Sequence, residues 1–356
     1  MFEASFFISL IGFFIVLTPL IFIHELGHYF AAIKAGVKVE SFSIGFGPEL
    51  FGFKDKRDTR WKFSLFPLGG YVKMKGDLVN SKNIDNKTLS NKDTFLEARL
   101  FHRFIIVLAG PLANLLLGIS LISSIYVFNG RYVSPPIIDK VLVNQPAQLA
   151  GLYSGDEILF INNNKINNFN DIKVIVETNP ASILDFKVLR NNKILNLSVI
   201  PTNFYDQKSN KTLGRIGITA KPLELKKLSF LDACLFGLYD SIKMTIDWVI
   251  GFKSLLFLDV NKKDIIGPIG IAKISGSSLD KGLTSVVFLM AVLSINLGLI
   301  NLLPIPALDG GYIVLFTYEL IFKKPLSNMV QMNLLKFGFI FLISLMILVT
   351  AFDLGF

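Results

Sequence analysis

Long runs without a charged side chain dominate this sequence of 356 residues. These runs cover residues 6–23, 104–128, 282–308 and 337–352. A bilayer core requires about 20 apolar residues in helical form, so the pattern predicts four transmembrane helices. The third helix is expected to end near Asn301, because Pro304 and Pro306 follow it and proline cannot continue a helix. Four crossings place both termini on the same side of the membrane.

Another apolar stretch, residues 229–258, differs from these runs because it carries five charged side chains. At about 100° per residue, these five side chains fall within an arc of about 140° on a helix. The pattern favours a helix that lies in the membrane interface or packs against the spans over a fifth crossing. No basic stretch precedes residues 6–23 and no small-residue cleavage site follows them, so an anchoring helix is expected there instead of a cleaved signal peptide.

Composition and charge agree with a membrane protein. Hydrophobic residues make up 52% of the chain and charged residues 18%, against about 25% charged residues in ordinary soluble domains. The net charge of +9 is concentrated in residues 34–103, which hold 14 basic and 8 acidic side chains. Cytoplasmic loops of membrane proteins usually carry an excess of basic residues. Residues 34–103 are therefore expected in the cytoplasm, and the termini and residues 129–281 outside it. A nucleic-acid partner is therefore unnecessary, and a single cysteine, Cys234, excludes a disulfide framework.

The first uncharged run leads into the motif His-Glu-Leu-Gly-His at residues 24–28. Histidines four positions apart lie on one face of a helix, so both imidazoles can reach a single zinc ion. Glu25 would lie beside that metal, where it can take a proton from a water molecule. Polar groups at the end of an apolar helix are costly without a function. The motif therefore indicates a catalytic zinc site.

A catalytic zinc ion usually has three protein ligands, so His24 and His28 need a third. His102 is the remaining histidine, and its position at the mouth of the second span favours an interfacial residue over a ligand. Asp309 follows two prolines and precedes two glycines, on the same expected side of the membrane as the histidines. Taken alone, this segment also fits an Asx turn. Because Asp309 is expected at the same depth in the membrane as the two histidines, it is the predicted third ligand.

These motifs resemble the site-2 protease family of intramembrane zinc metalloproteases, in its bacterial PDZ-containing branch. The resemblance rests on HELGH at 24–28 and NLLPIPALDGG at 301–311. Shorter matching segments are residues 45–48, residues 67–74, Arg103 and residues 109–114. The roles that the resemblance implies are zinc binding by His24, His28 and Asp309, general-base catalysis by Glu25, and substrate binding by Asn301, Pro304, Pro306, Gly69 and Gly70.

The loop between the first two spans contains a predicted β-hairpin. Trp61, Phe63 and Leu65 alternate with polar residues, which is the period of a strand, and residues 39–44 form a second candidate strand. In the family this region is a hairpin that dips into the membrane, and its edge could pair with an unwound substrate by strand addition. A purely structural cytoplasmic hairpin is the alternative.

Residues 135–220 change to short β-rich runs with Asn and Gly turns. The segment at 145–162 resembles a PDZ domain, because it follows the pattern Pro-Ala-x-x-Ala-Gly-Leu-x-x-Gly-Asp-x-Ile. We expect Ala147, Ala150 and Leu152 on the buried side of a short helix and a strand after Asp156. The domain either binds peptide C-termini or excludes substrates by size. Its expected peptide groove involves Ile216, Gly217 and Ile218.

The predicted fold class is a polytopic α-helical membrane protein with four transmembrane helices, a membrane-associated β-hairpin and one extracytoplasmic PDZ domain. The predicted domains are the first two spans at 1–128, the PDZ domain at 129–222, an amphipathic interfacial helix region at 223–281 and the last two spans at 282–356. Residues 267–271 also resemble a family segment and are interpreted as a re-entrant or surface element.

The predicted function is that of a zinc-dependent intramembrane endopeptidase in the bacterial inner membrane, in contact with membrane lipid. The resemblance implies single-span membrane proteins as substrates, such as anti-sigma-factor-like regulators or remnant signal peptides. Two other classes stay open, a membrane-anchored PDZ scaffold and a metal transporter. Glu25 and Asp309 argue against the scaffold, which needs neither, and the HExxH arrangement favours hydrolysis over transport.

Overall fold

The computed structural model of the chain describes residues 2–76, 93–206, 211–256 and 266–355. The chain divides into two compact units. The first, here called the helical unit, consists of Met1–Phe128 together with Ser229–Phe356. The second, the inserted unit, is Asn129–Leu228.

Two long helices joined by two long strands open the helical unit. They are α1 (Phe2–Lys34), β1 (Val39–Lys54), β2 (Arg60–Met74) and α2 (Leu100–Asn129). α1 continues from the predicted first span through residues 24–28, so the histidine motif is helical as the sequence predicts. The two predicted strand segments fall within β1 and β2.

In the inserted unit, the described residues form short strands and two helices. Its elements are β3 (Arg131–Val133), β4 (Ile138–Val141), α3 (Pro146–Leu149), β5 (Glu157–Ile161), β6 (Asn164–Lys165), α4 (Phe169–Thr178), β7 (Leu184–Arg190), β8 (Lys193–Val199), β9 (Thr202–Asp206), β10 (Lys211–Arg215), β11 (Ile218–Ala220) and β12 (Glu224–Lys226). The main sheet is antiparallel in the order β6-β5-β7-β8. β12 pairs with β3, so the unit extends past residue 222, to Leu228.

The PDZ-like motif adopts the local structure that its residues predict. Ala147 on α3 and Leu152 after it are fully buried and belong to the apolar core of the unit. Asp156 is fully buried as well, and both of its carboxylate oxygens accept hydrogen bonds from Arg190 at 2.7 Å. β5 begins directly after it, at Glu157. The helix, the turn and the strand of the motif are thus present in the predicted order, which gives the unit a PDZ-like arrangement.

The described residues of the helical unit contain five further helices. They are α5 (Phe230–Leu256), α6 (Pro268–Asp280), α7 (Leu283–Asn301), α8 (Asp309–Phe322) and α9 (Asn328–Asp353). α7 ends at Asn301, where the prolines predict its end. α8 was not predicted, because only a turn was expected at Asp309. Gly310 and Gly311 allow α8 to start there, since a Cβ on Gly311 would lie 2.5 Å from the carbonyl oxygen of Ile305.

Four helices of the described chain are long and apolar enough to cross a membrane, and they contain the four predicted spans. They are Phe6–Lys34 of α1, Leu100–Asn129 of α2, Leu283–Asn301 of α7 and Asn328–Asp353 of α9. α5 packs against α2, where the Tyr126 hydroxyl donates to Asp240 at 2.6 Å. This contact agrees with an amphipathic helix packed against the spans. The segment at 267–271 forms the start of α6, and the Asp353 carboxylate at the end of α9 accepts hydrogen bonds from the backbone of Gly267 and Gly270 at 2.9 and 3.0 Å.

β1 and β2 form more than a simple hairpin, because both strands fold back on themselves. Phe42 pairs with Val72 and also with Trp61, so residues 39–44 lie between residues 70–74 and residues 60–63. Phe42 stacks on Trp61 with 4.3 Å between ring centroids and meets Tyr29 of α1 edge-on at 5.8 Å. This aromatic cluster fixes the sheet against the end of α1 that carries the histidine motif.

Asp55, in the turn between β1 and β2, joins the sheet to α1 through hydrogen bonds. The Tyr29 hydroxyl and the Trp61 indole donate to its Oδ2 at 2.9 and 3.0 Å, and the backbone amides of Arg57 and Thr59 donate to its Oδ1 at 2.8 and 3.0 Å. Burial raises the pKa of this carboxyl, but the hydrogen bonds, of which the one from Trp61 is the largest, outweigh it and lower the pKa from 3.8 to about 2.

We expect the attachment of the sheet to weaken as the pH falls from about 4 to about 2. The carboxylate is favoured in the folded state, so its stabilisation is complete above the unfolded pKa and is lost as the pH falls through the folded pKa. Trp61 fluorescence in a Trp248→Phe background reports the change. Asp55→Asn should remove this part of the pH dependence, and an unchanged pH profile in Asp55→Asn would contradict the assignment.

Candidate metal centre

Three potential metal ligands converge between α1 and the start of α8. His24 and His28 lie one turn apart on α1, and Asp309 is the first residue of α8. His24 Nε2 lies 3.2 Å and His28 Nε2 3.4 Å from Asp309 Oδ2, and the two Nε2 atoms are 3.2 Å apart. Both histidines are 8% exposed. Among the described residues this is the cluster of at least three His, Cys, Asp or Glu side chains that could hold a metal ion.

The spacing of the three atoms fits a zinc ion. Ligands about 2.0–2.1 Å from a tetrahedral zinc lie about 3.3 Å from one another, close to the observed separations. Asp309 Oδ2 is also buried and accepts no hydrogen bond from the described residues. Lone pairs that face one another in a buried space repel unless a cation or a proton lies between them. One carboxylate and two imidazoles form a typical ligand set for a catalytic zinc.

A backbone carbonyl of α2 orients His28. The Nδ1 of His28 lies 2.8 Å from the carbonyl oxygen of Ile106. A carbonyl can only accept, so Nδ1 carries the hydrogen and Nε2 presents its lone pair toward Asp309. The sequence could not reveal this contact, because any residue at position 106 would offer the same carbonyl.

Two asparagine amides lie against His24. Asn114 on α2 is fully buried, and its side chain lies 3.4 Å from His24 Nδ1. Asn301 at the end of α7 lies 3.4 Å from His24 Nε2, on the side of the ring that faces the other ligands. Sequence reasoning proposed Asn301 as a substrate-binding residue but gave Asn114 no function. In the sequence, Asn114 is a polar residue in the uncharged second span and the last residue of the family-matching segment at 109–114.

Glycines allow α2 to approach the histidines closely. A Cβ on Gly110 of α2 would overlap the His28 ring, and a Cβ on Gly27 of α1 would lie 2.8 Å from the carbonyl carbon of Ala109. Larger residues at either position would push the helices apart. The close contact of α1 with α2 therefore depends on small residues at their crossing.

The convergent ligands open into a cavity of about 680 Å³. Glu25 lines it together with both histidines and Asp309. The other lining residues include Gly69, Gly70, Tyr71, Asn301 and Leu342. A Cβ on Gly70 would lie 2.9 Å from Glu25 Cγ, so the absence of a side chain at this position brings β2 directly against the expected general base.

Several sequence-predicted residues lie elsewhere. Pro304 and Pro306 are not among the residues that line this cavity. They form the turn from α7 to α8, where a Cβ on Gly338 of α9 would overlap the carbonyl of Pro306. Among the described residues, His102 is likewise absent from the ligand cluster.

The predicted peptide groove belongs to the inserted unit. Ile216 is 3% exposed, and its carbonyl accepts a hydrogen bond from the Ala147 amide at 2.9 Å. The Gly217 carbonyl accepts from the Leu142 amide at 2.8 Å, and Ile218 begins β11, which pairs with β4. Both carbonyl groups are therefore already hydrogen-bonded to backbone amides of the inserted unit itself.

Comparison with known proteins identifies the family of the chain that carries this site. The model for Peptidase family M50 matches residues 12–345. The chain belongs to this family. A candidate zinc metalloprotease of Rickettsia conorii is 38% identical over 98% of both chains. The zinc metalloprotease RasP of Geobacillus kaustophilus is 30% identical over 97% of both chains.

Membership of the family confirms the resemblance seen in the sequence. The protein is a zinc-dependent metalloprotease with several apolar helices able to span a membrane. A scaffold or a transporter is therefore no longer needed to explain the site.

Among solved structures, the PDZ domains of SdrC-like proteins from Listeria monocytogenes and Listeria innocua match about a quarter of the chain. The identities are 21% and 20%, and the TM-scores are 0.21 and 0.22. The match covers 90% and 99% of those two domains.

Proposed function

We propose that the protein is an intramembrane endopeptidase whose zinc ion is held by His24, His28 and Asp309, with Glu25 as the general base. The observation that carries this proposal is the convergence of three buried ligand atoms within 4.8 Å of one another, in a cavity that Glu25 also lines. Zinc in this position supplies Lewis-acid polarisation of the scissile carbonyl and lowers the pKa of a water molecule.

Side chains around the three ligands would carry out proton transfer and bind the substrate. Glu25 takes a proton from the water as the water oxygen bonds to the carbonyl carbon, and it then passes this proton to the amine nitrogen as the C–N bond breaks. The Asn301 amide, at the edge of the ligand cluster, donates a hydrogen bond to the substrate carbonyl oxygen as negative charge develops there. Pro304 and Pro306 support binding indirectly, since they shape the turn that carries Asp309.

The substrate would reach this site in an extended form. Residues 70–74 of β2 pair with residues 39–44 on one side, and no other described strand pairs with them. Gly69 and Gly70 of the same segment line the cavity. A helical peptide hides its carbonyls in its own hydrogen bonds, whereas strand addition to this edge would present them to the site.

The sheet also carries an apolar surface suited to the membrane. Its exposed apolar side chains are Phe46, Leu50, Phe51, Phe53, Leu65 and Phe66. A soluble protein rarely exposes so many apolar side chains together. We infer that the sheet enters the cytoplasmic leaflet, beside the end of α1 that bears the motif. By the distribution of basic residues, the cavity lies near the cytoplasmic face of a bacterial inner membrane and the inserted unit on the opposite side.

The inserted unit acts in this proposal as a PDZ domain that limits access to the protease. It either binds a peptide C-terminus near Ile216, Gly217 and Ile218 or excludes substrates with large external domains. The carbonyls of Ile216 and Gly217 accept hydrogen bonds from the unit's own Ala147 and Leu142 amides. Substrates of this class are single-span proteins already shortened by another protease, such as anti-sigma-factor-like regulators and remnant signal peptides.

Cleavage of a single-span protein in vesicles tests the proposal. We expect mass spectrometry to locate the cut bond within the apolar segment of the substrate. Chelator treatment should stop cleavage and added zinc should restore it. A matched substrate whose span is a continuous leucine helix should be cut more slowly than one with a Gly-Pro pair. Cleavage confined to the water-exposed part of the substrate would overturn the intramembrane assignment.

A further inference from the structure

α2 places a polar group against each of the two histidines of α1. His28 Nδ1 contacts the Ile106 carbonyl at 2.8 Å, and His24 Nδ1 contacts the Asn114 side chain at 3.4 Å. The later histidine meets the earlier residue of α2, as expected where two neighbouring helices run in opposite directions. The Nδ1 of each ring therefore faces α2, while its Nε2 faces Asp309.

The side chain of Asn114 is under an unusual constraint. The residue is fully buried, and its Oδ1 has no hydrogen-bond donor among the described residues. A buried polar atom without a partner costs about 1–3 kcal/mol. A half-turn of the amide exchanges its oxygen and nitrogen and brings Oδ1 against His24 Nδ1. That orientation gives the oxygen a donor and requires the hydrogen of His24 to be on Nδ1.

We propose that Asn114 is a positioning residue for the metal centre: its side-chain oxygen accepts the Nδ1 hydrogen of His24 and so keeps the lone pair on Nε2. The inference rests on the zinc site proposed above. Groups that orient a metal-binding histidine in this way are usually carboxylates, carbonyls or waters. α2 would supply a backbone carbonyl for His28 and a side-chain carbonyl for His24. Where α2 crosses α1, the group that lies next to the His24 ring is the asparagine side chain and not a free backbone carbonyl.

Zinc affinity of the purified full-length chain, measured by competition with a chelator, tests this role. Asn114→Leu has a similar size but no acceptor, and loss of such a group typically lowers metal affinity 10- to 100-fold. Asn114→Asp keeps an acceptor at the same place, so its affinity should stay within about threefold of the wild-type value. Ser294→Ala is the matched control: it removes a buried hydrogen bond to the Asn114 backbone carbonyl but leaves the amide intact.

The visible absorption of the cobalt-substituted protein gives a second readout. We expect the Asn114→Asp spectrum to match the wild type and the Asn114→Leu spectrum to differ, because His24 no longer has a fixed orientation. If Asn114→Leu does not fold, Asn114→Ala replaces it in both measurements. Equal losses in the Leu and Asp variants would indicate a packing role and overturn the proposal, as would wild-type affinity in both. If His24→Ala also binds zinc normally, the zinc site itself is wrong, which is a distinct outcome.

Discussion

Replacement of Glu25 by glutamine is expected to lower the rate of peptide cleavage by about 10²- to 10⁴-fold, the usual contribution of a general base. Glutamine has nearly the same shape as glutamate, so it fills the same place beside Gly70, but it cannot take a proton from water. Glu25 lines the cavity without belonging to the three-residue ligand cluster. The variant should therefore still bind about one zinc ion per chain.

The measurement combines cleavage of a single-span substrate with the zinc content of the same preparation. Glu97→Gln provides a matched control, since Glu97 is exposed ahead of α2 and its replacement should leave both values unchanged. Full activity in Glu25→Gln would disprove general-base catalysis by this residue. Loss of zinc along with activity would instead make Glu25 a ligand.

The second large effect is expected for Asp309→Ala, which should lower zinc affinity by more than about 100-fold. The removal of a direct ligand should exceed the 10- to 100-fold cost of losing an outer hydrogen-bonding partner. The variant keeps both histidines, whose Nε2 atoms remain 3.2 Å apart, but two ligands hold a catalytic zinc poorly. Cleavage should fall in parallel with zinc content.

Asp280→Ala serves as the control for this loss, because Asp280 is exposed at the end of α6. Zinc content should be measured after dialysis against a weak chelator, so that loosely bound metal is removed. Unchanged zinc in Asp309→Ala would mean that another group supplies the third ligand. A partial loss in Asp309→Asn, with its neutral oxygen, would support direct ligation.

The sequence predicted the spans and the ligand cluster because each depends on a strong local signal. Uncharged runs identify the four long apolar helices, and the spacing of His24 and His28 identifies one helix face. Asp309 was found from its position after the third span, and the structure brings its carboxylate to both histidines. Ligation of zinc by these residues stays a prediction that the variants test.

Other features depend on tertiary contacts that no local pattern records. α8 was missed because a turn, and not the start of a new helix, was expected at Asp309 after the third span. The back-folding of β1 and β2 was missed because one strand, residues 39–44, pairs on both sides. Asn114 was passed over because a polar residue in a span does not reveal which side chain it contacts.

Anomalous X-ray scattering at the zinc edge, from crystals of the intact protein, tests the central claim most directly. We expect one strong peak about 2.0–2.2 Å from His24 Nε2, His28 Nε2 and an oxygen of Asp309. The peak should persist in Glu25→Gln and disappear in Asp309→Ala. A zinc peak away from these three residues, or one unaffected by Asp309→Ala, would contradict the proposed metal centre.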